Sequence, residues 1–247
     1  MAGIALMHRL SLADFDRARI LLQTVADRAP REPIPRAWLA KWHVLRVNQG
    51  WTDNAEEDAN RALDCTNRAL DADPSCSLAL AISGFVHTNL RMQFDVATDF
   101  YEQAISANPN DSLAWLLKGT LHAFKGEAAQ AVEGTEKALQ LSPLDPLRYF
   151  YDSLAATAAM SAGMFDRAIE LAQRSLRANR THTSTWRALA IAQVRSGRVE
   201  AGRASVEQLR KIEPTLTASS YLRRNPSGAF NTGKVWADAL VQAGLPQ

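Results

Sequence analysis

The chain has 247 residues, of which 47% are apolar and 22% charged, and its formal net charge is +2. These values are ordinary for a water-soluble protein, and a near-neutral balance gives no strong field towards nucleic acid or anionic lipid. No apolar run approaches the roughly 20 residues a bilayer span needs, and the opening MAGIALMHRL has too short an apolar stretch for a secretory leader.

In chain order, the first element predicted with a clear face is a helix over DRARILLQTVADRAP, with Ala18, Leu22 and Val25 on one side and Pro30 as its stop. Only about ten residues precede the turn near Ser11, so the chain opens almost directly on a helix with no polar face before it. That arrangement is expected of the downstream part of a longer protein, or of a first repeat that packs on something. The next segment runs from Pro30 to Pro74 and carries extra length in RVNQGWTDNAEEDANRALD. Gly50 ends its first helix there, and Asp53 with Glu56 reads as a capping box opening the second. Trp51 sits between them, either folded back on its own helices or left as an anchor. Cys65 and Cys76 flank the following break; two cysteines are too few for a disulfide scaffold, so a reducing, cytoplasmic setting is expected.

From Pro74 the chain keeps a period. Pro74, Pro109 and Pro143 are spaced by 35 and 34 residues, and Pro214 follows after two further units. The third unit has Leu80, Gly84, Ala97, Tyr101 and Ala104, and the fourth has Trp115, Gly119, Gly126, Ala131 and Ala138. The fifth, from Pro143 to about Arg180, opens on Tyr149, Phe150 and Tyr151, a run that one helical face cannot bury. At least one of these rings is expected on a groove or a neighbouring repeat. The sixth has Trp186, Leu189, Ala190 and Gly197. After Pro214, LTASSYLRRNP reads as a short helix, SGAFNTG as a loop, and KVWADALVQAGLP as a last helix ended by Gly244 and Pro246. Residues 1–214 are therefore expected to form a repeat array, and 215–247 a capping element.

Few residues suggest chemistry. GAFNTGKV at Gly228–Val235 approaches a phosphate-binding loop, but Val235 stands where a magnesium-holding hydroxyl belongs and no strand precedes it. His87 and His122 take the same place in adjacent units, with His43 a third candidate; hydrogen-bonded packing histidines are favoured over a metal site, which needs a tighter ligand set. No nucleophile, zinc-protease or paired-cysteine motif occurs. No enzyme activity, metal or cofactor is expected.

The small and aromatic positions and the period near 34 resemble the tetratricopeptide repeat. The resemblance implies an all-α, right-handed α-α superhelix of about five to six repeats with a C-terminal capping helix. In that family the first helix of each repeat lines a concave groove. Here the groove stripe would hold Phe85, Thr88 and Asn89, then Leu116, Thr120 and Phe124, then Arg187 and Arg195. It would be apolar in the middle and basic towards the C-terminal end. Ala81, Phe85, Leu116 and Thr120 stand where chaperone-binding members carry Lys and Asn, so their carboxylate clamp is missing. The competing expectation is a groove filled by the chain's own C-terminal helix or closed by tight winding.

The segments ALMHRLS, AWLAKWHVLRVNQGWTD, LALAISGFVHTNL and ADALVQAGLP resemble the C-terminal repeat region of bacterial regulators that carry a class III adenylate cyclase or winged-helix domain upstream. The resemblance implies a protein-interaction and regulatory scaffold that binds a protein or peptide segment in its groove. The alternative is a small-molecule sensor using the apolar groove as a pocket, and a third reading is self-association, a homodimer through the first repeat.

Overall fold

A computed structural model describes residues 2–9 and 11–247. Among the described residues there are fourteen α-helices, one π-helical turn, one 3-10 turn and no strand. They group into two compact units, residues up to Leu117 and from Lys118 onwards. The first unit contains α1 (Ala2–Met7), α2 (Leu12–Arg28), α3 (Pro33–Asn48), α4 (Ala55–Ala72), α5 (Ser77–Val86) with the π turn His87–Arg91, and α6 (Phe94–Ala107). α7 (Ser112–Lys125) carries the boundary. The second unit contains α8 (Ala128–Leu141), α9 (Arg148–Ser161), α10 (Phe165–Ala178), α11 (Thr183–Arg195), α12 (Val199–Ile212), α13 (Ala218–Arg224), the 3-10 turn Pro226–Ala229 and α14 (Asn231–Gln242).

The helix ends follow from proline and glycine. Pro30, Pro74, Pro109, Pro143 and Pro214 each lie two residues beyond the last residue of a second helix, namely α2, α4, α6, α8 and α12. Proline cannot continue a helix and restricts the residue before it, so the stop recurs at one place in these five repeats, while Arg180 stands there after α10. First helices, and the last helix α14, end differently. Gly50, Gly126, Gly163, Gly197 and Gly244 have φ from 72° to 95°, the left-handed backbone that closes a helix C-terminus. In the third repeat Met92 takes this role at φ 51°, the single non-glycine residue with positive φ among those described.

Glycine also sets how closely the helices of a repeat cross. Gly119 of α7 lies against the backbone of Ala131 and Thr135 on α8, and Gly84 of α5 lies against the ring of fully buried Tyr101 on α6. A second device ties two of the repeat starts: the indoles of Trp115 and Trp186 donate to the carbonyls of Pro109 and Arg180, six residues back in both cases. Buried charge is paired. Asp152, 1% exposed, accepts from Arg148 at 3.0 Å and from Arg174 at 2.6–2.7 Å.

Several local expectations need correction. The buried face of α2 is Phe15, Ala18, Leu22 and Ala26, whereas Val25 is 51% exposed; one helical step separates Val25 from Ala26, and the smaller residue takes the contact. The cap of α4 is Asn54, whose Oδ1 accepts from the Glu57 backbone at 3.0 Å, one position after the expected Asp53–Glu56 pair. Thr52 Oγ1 accepts from the Asn54 backbone and holds that shift. The stretch expected as a loop before the last helix is divided between the 3-10 turn, which ends at Ala229, and α14, which begins at Asn231. A full capping box at Thr217 and Ser220 opens α13. Trp51 folds back, edge-on to Phe15 with ring centroids 5.0 Å apart. Tyr149, Phe150 and Tyr151 are all buried, and His182 at the start of the next repeat takes the edges of the first two.

Candidate functional site

The first-helix face is more enclosed than its sequence pattern suggests. Phe85, Thr88, Asn89, Leu116, Thr120, Phe124 and Arg187 are each at most 8% exposed. In the first unit, Thr88 Oγ1 lies 3.0 Å from the Tyr101 hydroxyl, which ties the π turn to α6. Asn89 donates to the Phe85 carbonyl at 3.0 Å, and its Oδ1 accepts from Asn48 Nδ2 at 3.2 Å. The half-buried Asn48, on α3, therefore belongs to this face. It is not legible in the sequence, because the lengthened second unit displaces it from the 34-residue register.

In the second unit the face is covered from within. Trp236 of α14 lies edge-on to Phe124, with ring centroids 6.3 Å apart. Phe124, Ile191, Val194, Trp236 and Leu240 share one buried apolar cluster. The spacing of Trp236, Ala239, Leu240 and Ala243 marks an apolar helix face in the sequence; that it turns onto first-helix side chains is a long-range choice. Arg187 donates to Glu213 at 3.3 Å, and Arg224 donates to the same carboxylate. Burial draws the Arg187 guanidinium below its usual range, opposed by the Glu213 charge. Arg187 is thus spent inside the unit, whereas Arg195 is exposed with its guanidinium 5.9 Å from the Phe165 ring centroid. The expected basic end therefore reduces to Arg195.

The three histidines take one structural role. His43 Nδ1 lies 2.6 Å from Asp58, His87 Nδ1 lies 2.8 Å from Gln93, and His122 Nδ1 lies 2.5 Å from Glu127. Each links a first helix to the start of the second helix in its own repeat. Burial lowers the pKa of His43 and of His87, against the hydrogen bonds to Asp58 and Gln93. Among the described residues no group of three or more His, Cys, Asp or Glu is placed to hold a metal. Cys65 and Cys76 are both free thiols.

The glycines of the phosphate-loop look-alike have a packing role. A Cβ at Gly228 would stand 2.0 Å from the Leu222 carbonyl, and one at Gly233 would stand 2.3 Å from the Ser227 carbonyl. The turn is closed on itself by backbone, and Gly233 already lies inside α14.

Tetratricopeptide-repeat models match residues 100–133 and 153–215. No curated protein matches the sequence. Among solved structures, the type IV pilus biogenesis factor PilW is 19% identical, with a TM-score of 0.57 over 84% of this chain and 93% of its own. The hetero-tetramer Cut9–Hcn1 of the APC/C is 14% identical, with a TM-score of 0.66 over 94% of this chain and 40% of that one. Human IFIT1, crystallised as a dimer with m7Gppp-AAAA, is 16% identical, with a TM-score of 0.63 over 93% of this chain and 52% of that one. Such identities speak for the fold alone, and no described helix is long and apolar enough to cross a membrane. The chain is therefore all-α, with repeated helical hairpins stopped by proline and glycine at one register, and it carries tetratricopeptide repeats at residues 100–133 and 153–215.

Proposed function

We propose that the chain is a non-catalytic protein-interaction scaffold whose first-helix faces receive an amphipathic helical segment of a partner. The observation that carries this reading is α14 itself. Its apolar side, with Trp236 on Phe124, already lies on first-helix side chains of the second unit. An apolar helix is therefore the kind of element such a face accepts. In the first unit the corresponding residues are Phe85, Thr88 and Asn89, and the Asn48 amide at their rim offers a donor and an acceptor to an incoming backbone. In the second unit α14 already occupies Phe124, so the proposed surface is that of the first unit.

The scaffold would be regulatory, controlling an attached effector such as a cyclase or winged-helix DNA-binding domain in a bacterial cytoplasm. Support for that role is the likeness of the short segments quoted above, with residues 1–214 as the binding array and 215–247 as its cap. A photo-crosslinking amino acid at Asn48, and separately at exposed Lys137 on α8, tests the interaction face in cells. Protein adducts are expected from position 48, and Phe85→Asp should reduce them. Equal adducts from both positions would refute the assignment.

Self-association through the first repeat is a second reading, favoured by Leu12, Ile20, Leu21 and Val25, which are all exposed. It expects a dimer in sedimentation velocity that Ile20→Glu abolishes; a monomer at every concentration removes it.

A further inference from the structure

We propose that the cleft between α2 and α4 is a binding site for a small carboxylate that also carries a hydrogen-bond donor, a 2-hydroxy or 2-amino acid. The cleft is open to solvent, has a volume of about 420 Å³ and lies within the first unit, on the side of its second helices. Leu39 and His43 of α3 form its floor. Arg19 and Gln23 stand on one wall, and Asn60, Arg61, Asp64 and Cys65 on the other.

The floor is built around one oriented acceptor. His43 is 4% exposed and lines the cleft. Its Nδ1 is held 2.6 Å from Asp58 Oδ1, and that carboxylate also accepts from Thr52 at 2.5 Å and from Arg46 at 3.4 Å. A carboxylate only accepts, so the imidazole proton sits on Nδ1 and Nε2 keeps its lone pair. Asp58 uses Nδ1 alone, which leaves Nε2 for a ligand. Burial, with a smaller contribution from the charges of Arg61 and Arg46, keeps the ring below its usual range and therefore neutral at pH 7. A neutral, fixed Nε2 calls for a hydroxyl or ammonium from the ligand.

The walls supply the opposite chemistry. Among the described residues Arg19 has no carboxylate partner, and its guanidinium stands 5.9 Å from the Trp42 ring centroid. Arg61 gives one nitrogen to Glu57 and keeps the rest of its fork. Two arginines lining one cleft suit a carboxylate. Asn60, whose oxygen already accepts from Arg91, has amide N–H groups to offer. Gln23 has its amide nitrogen on Asp27 and has its oxygen to offer as a second acceptor. Asp64 on the same wall weighs against a doubly charged phosphate and for a ligand that brings its own donor. Cys65 is wall and not nucleophile, since burial pushes its thiol up to about 11.

The test uses the whole chain with ¹⁵N-labelled histidine, titrated with lactate, citrate and glutamate. Each is run beside its counterpart without the donor (propionate, tricarballylate and glutarate), and inorganic phosphate is a separate arm. At least one donor-bearing acid is expected to shift the His43 ring nitrogens and to bind about tenfold more tightly than its counterpart, the worth of one hydrogen bond to a buried group. Arg19→Ala, at an exposed position that leaves folding intact, should weaken that acid by about tenfold, as lost charge-assisted bonds do. The proposal is overturned if no acid moves the His43 ring, if the counterparts bind equally, if phosphate binds more tightly, or if Arg19→Ala changes nothing.

Discussion

Replacing Gly119 probes a close helix crossing in the second unit, that of α7 on α8. A Cβ there would stand 2.8 Å from the backbone nitrogen of Thr135 and 3.0 Å from the carbonyl oxygen of Ala131. Both atoms belong to the backbone of α8, so no side-chain rotation relieves the clash and the helix must move. Overpacking of this kind costs about 1–3 kcal/mol. Alanine recovers about 1 kcal/mol of helix propensity relative to glycine, so Gly119→Ala should lose only about 1 kcal/mol net. Leucine drives three further carbons into the same gap, and about 2–4 kcal/mol is expected. At roughly 2–4 °C per kcal/mol for a chain of this size, Gly119→Leu should lower the melting midpoint by about 4–16 °C. Gly163 is the control. It has no atom within 4 Å of an added Cβ and a φ of +73°, so Gly163→Ala carries only the left-handed penalty of about 1–2 kcal/mol, and Gly163→Asn recovers part of it. Far-UV ellipticity and tryptophan fluorescence should be followed together, because repeat arrays depart from all-or-none unfolding. A Gly119→Leu midpoint within about 1 °C of wild type would refute the crossing argument, as the scaling leaves no room for it.

What was legible in the sequence were the features that act through the backbone. Proline stops a helix wherever it stands, and glycine permits positive φ wherever it stands, so the stops at Pro109 and Gly126 need no knowledge of the rest of the chain. The same holds for the contact of Gly119, since a missing side chain at a fixed register announces a crossing. Features that depend on distant partners were not legible. Met92 replaces glycine at a helix end because the π turn before it shifts the register by a residue, held by Thr88 on Tyr101. The cap of α4 moves from Asp53 to Asn54 because Thr52 binds its backbone. The stripe residues lie on first helices or on the π turn after α5, but their exposure was decided by α14 and by neighbouring turns. The α2–α4 cleft needs side chains from three helices, and its one visible sign was a histidine that also serves as packing.

Three further outcomes follow from particular contacts. Met92→Gly should stabilise the chain by about 1 kcal/mol in urea denaturation, because it removes the left-handed penalty at φ 51°; a loss of stability would mean that the methionine side chain contributes more than the backbone strain costs. Asp58→Ala should destabilise by about 3 kcal/mol, since it strips the acceptor from buried His43 and from Thr52 and Arg46 together; a loss under about 1 kcal/mol would show the network to be idle. The third concerns acid. His182 is 3% exposed, has Nδ1 2.7 Å from Thr185 Oγ1 and meets the Tyr149 ring edge-on. Burial, helped by the Arg187 charge, holds its pKa down to about 3, whereas in the unfolded chain it titrates near 6.5. Between those values the unfolded state binds a proton that the folded state refuses. The stability is therefore fully present above pH 6.5 and falls with decreasing pH, by about 1.4 kcal/mol per unit. Between pH 7 and pH 5 the loss is roughly 2 kcal/mol. His182→Gln keeps a polar group beside Thr185 but cannot take a proton, so its stability should fall by about 2 kcal/mol less than that of wild type over the same interval. Other buried histidines titrate alike in both proteins and cancel in the difference, so an equal pH dependence would mean that His182 accepts a proton without leaving its place.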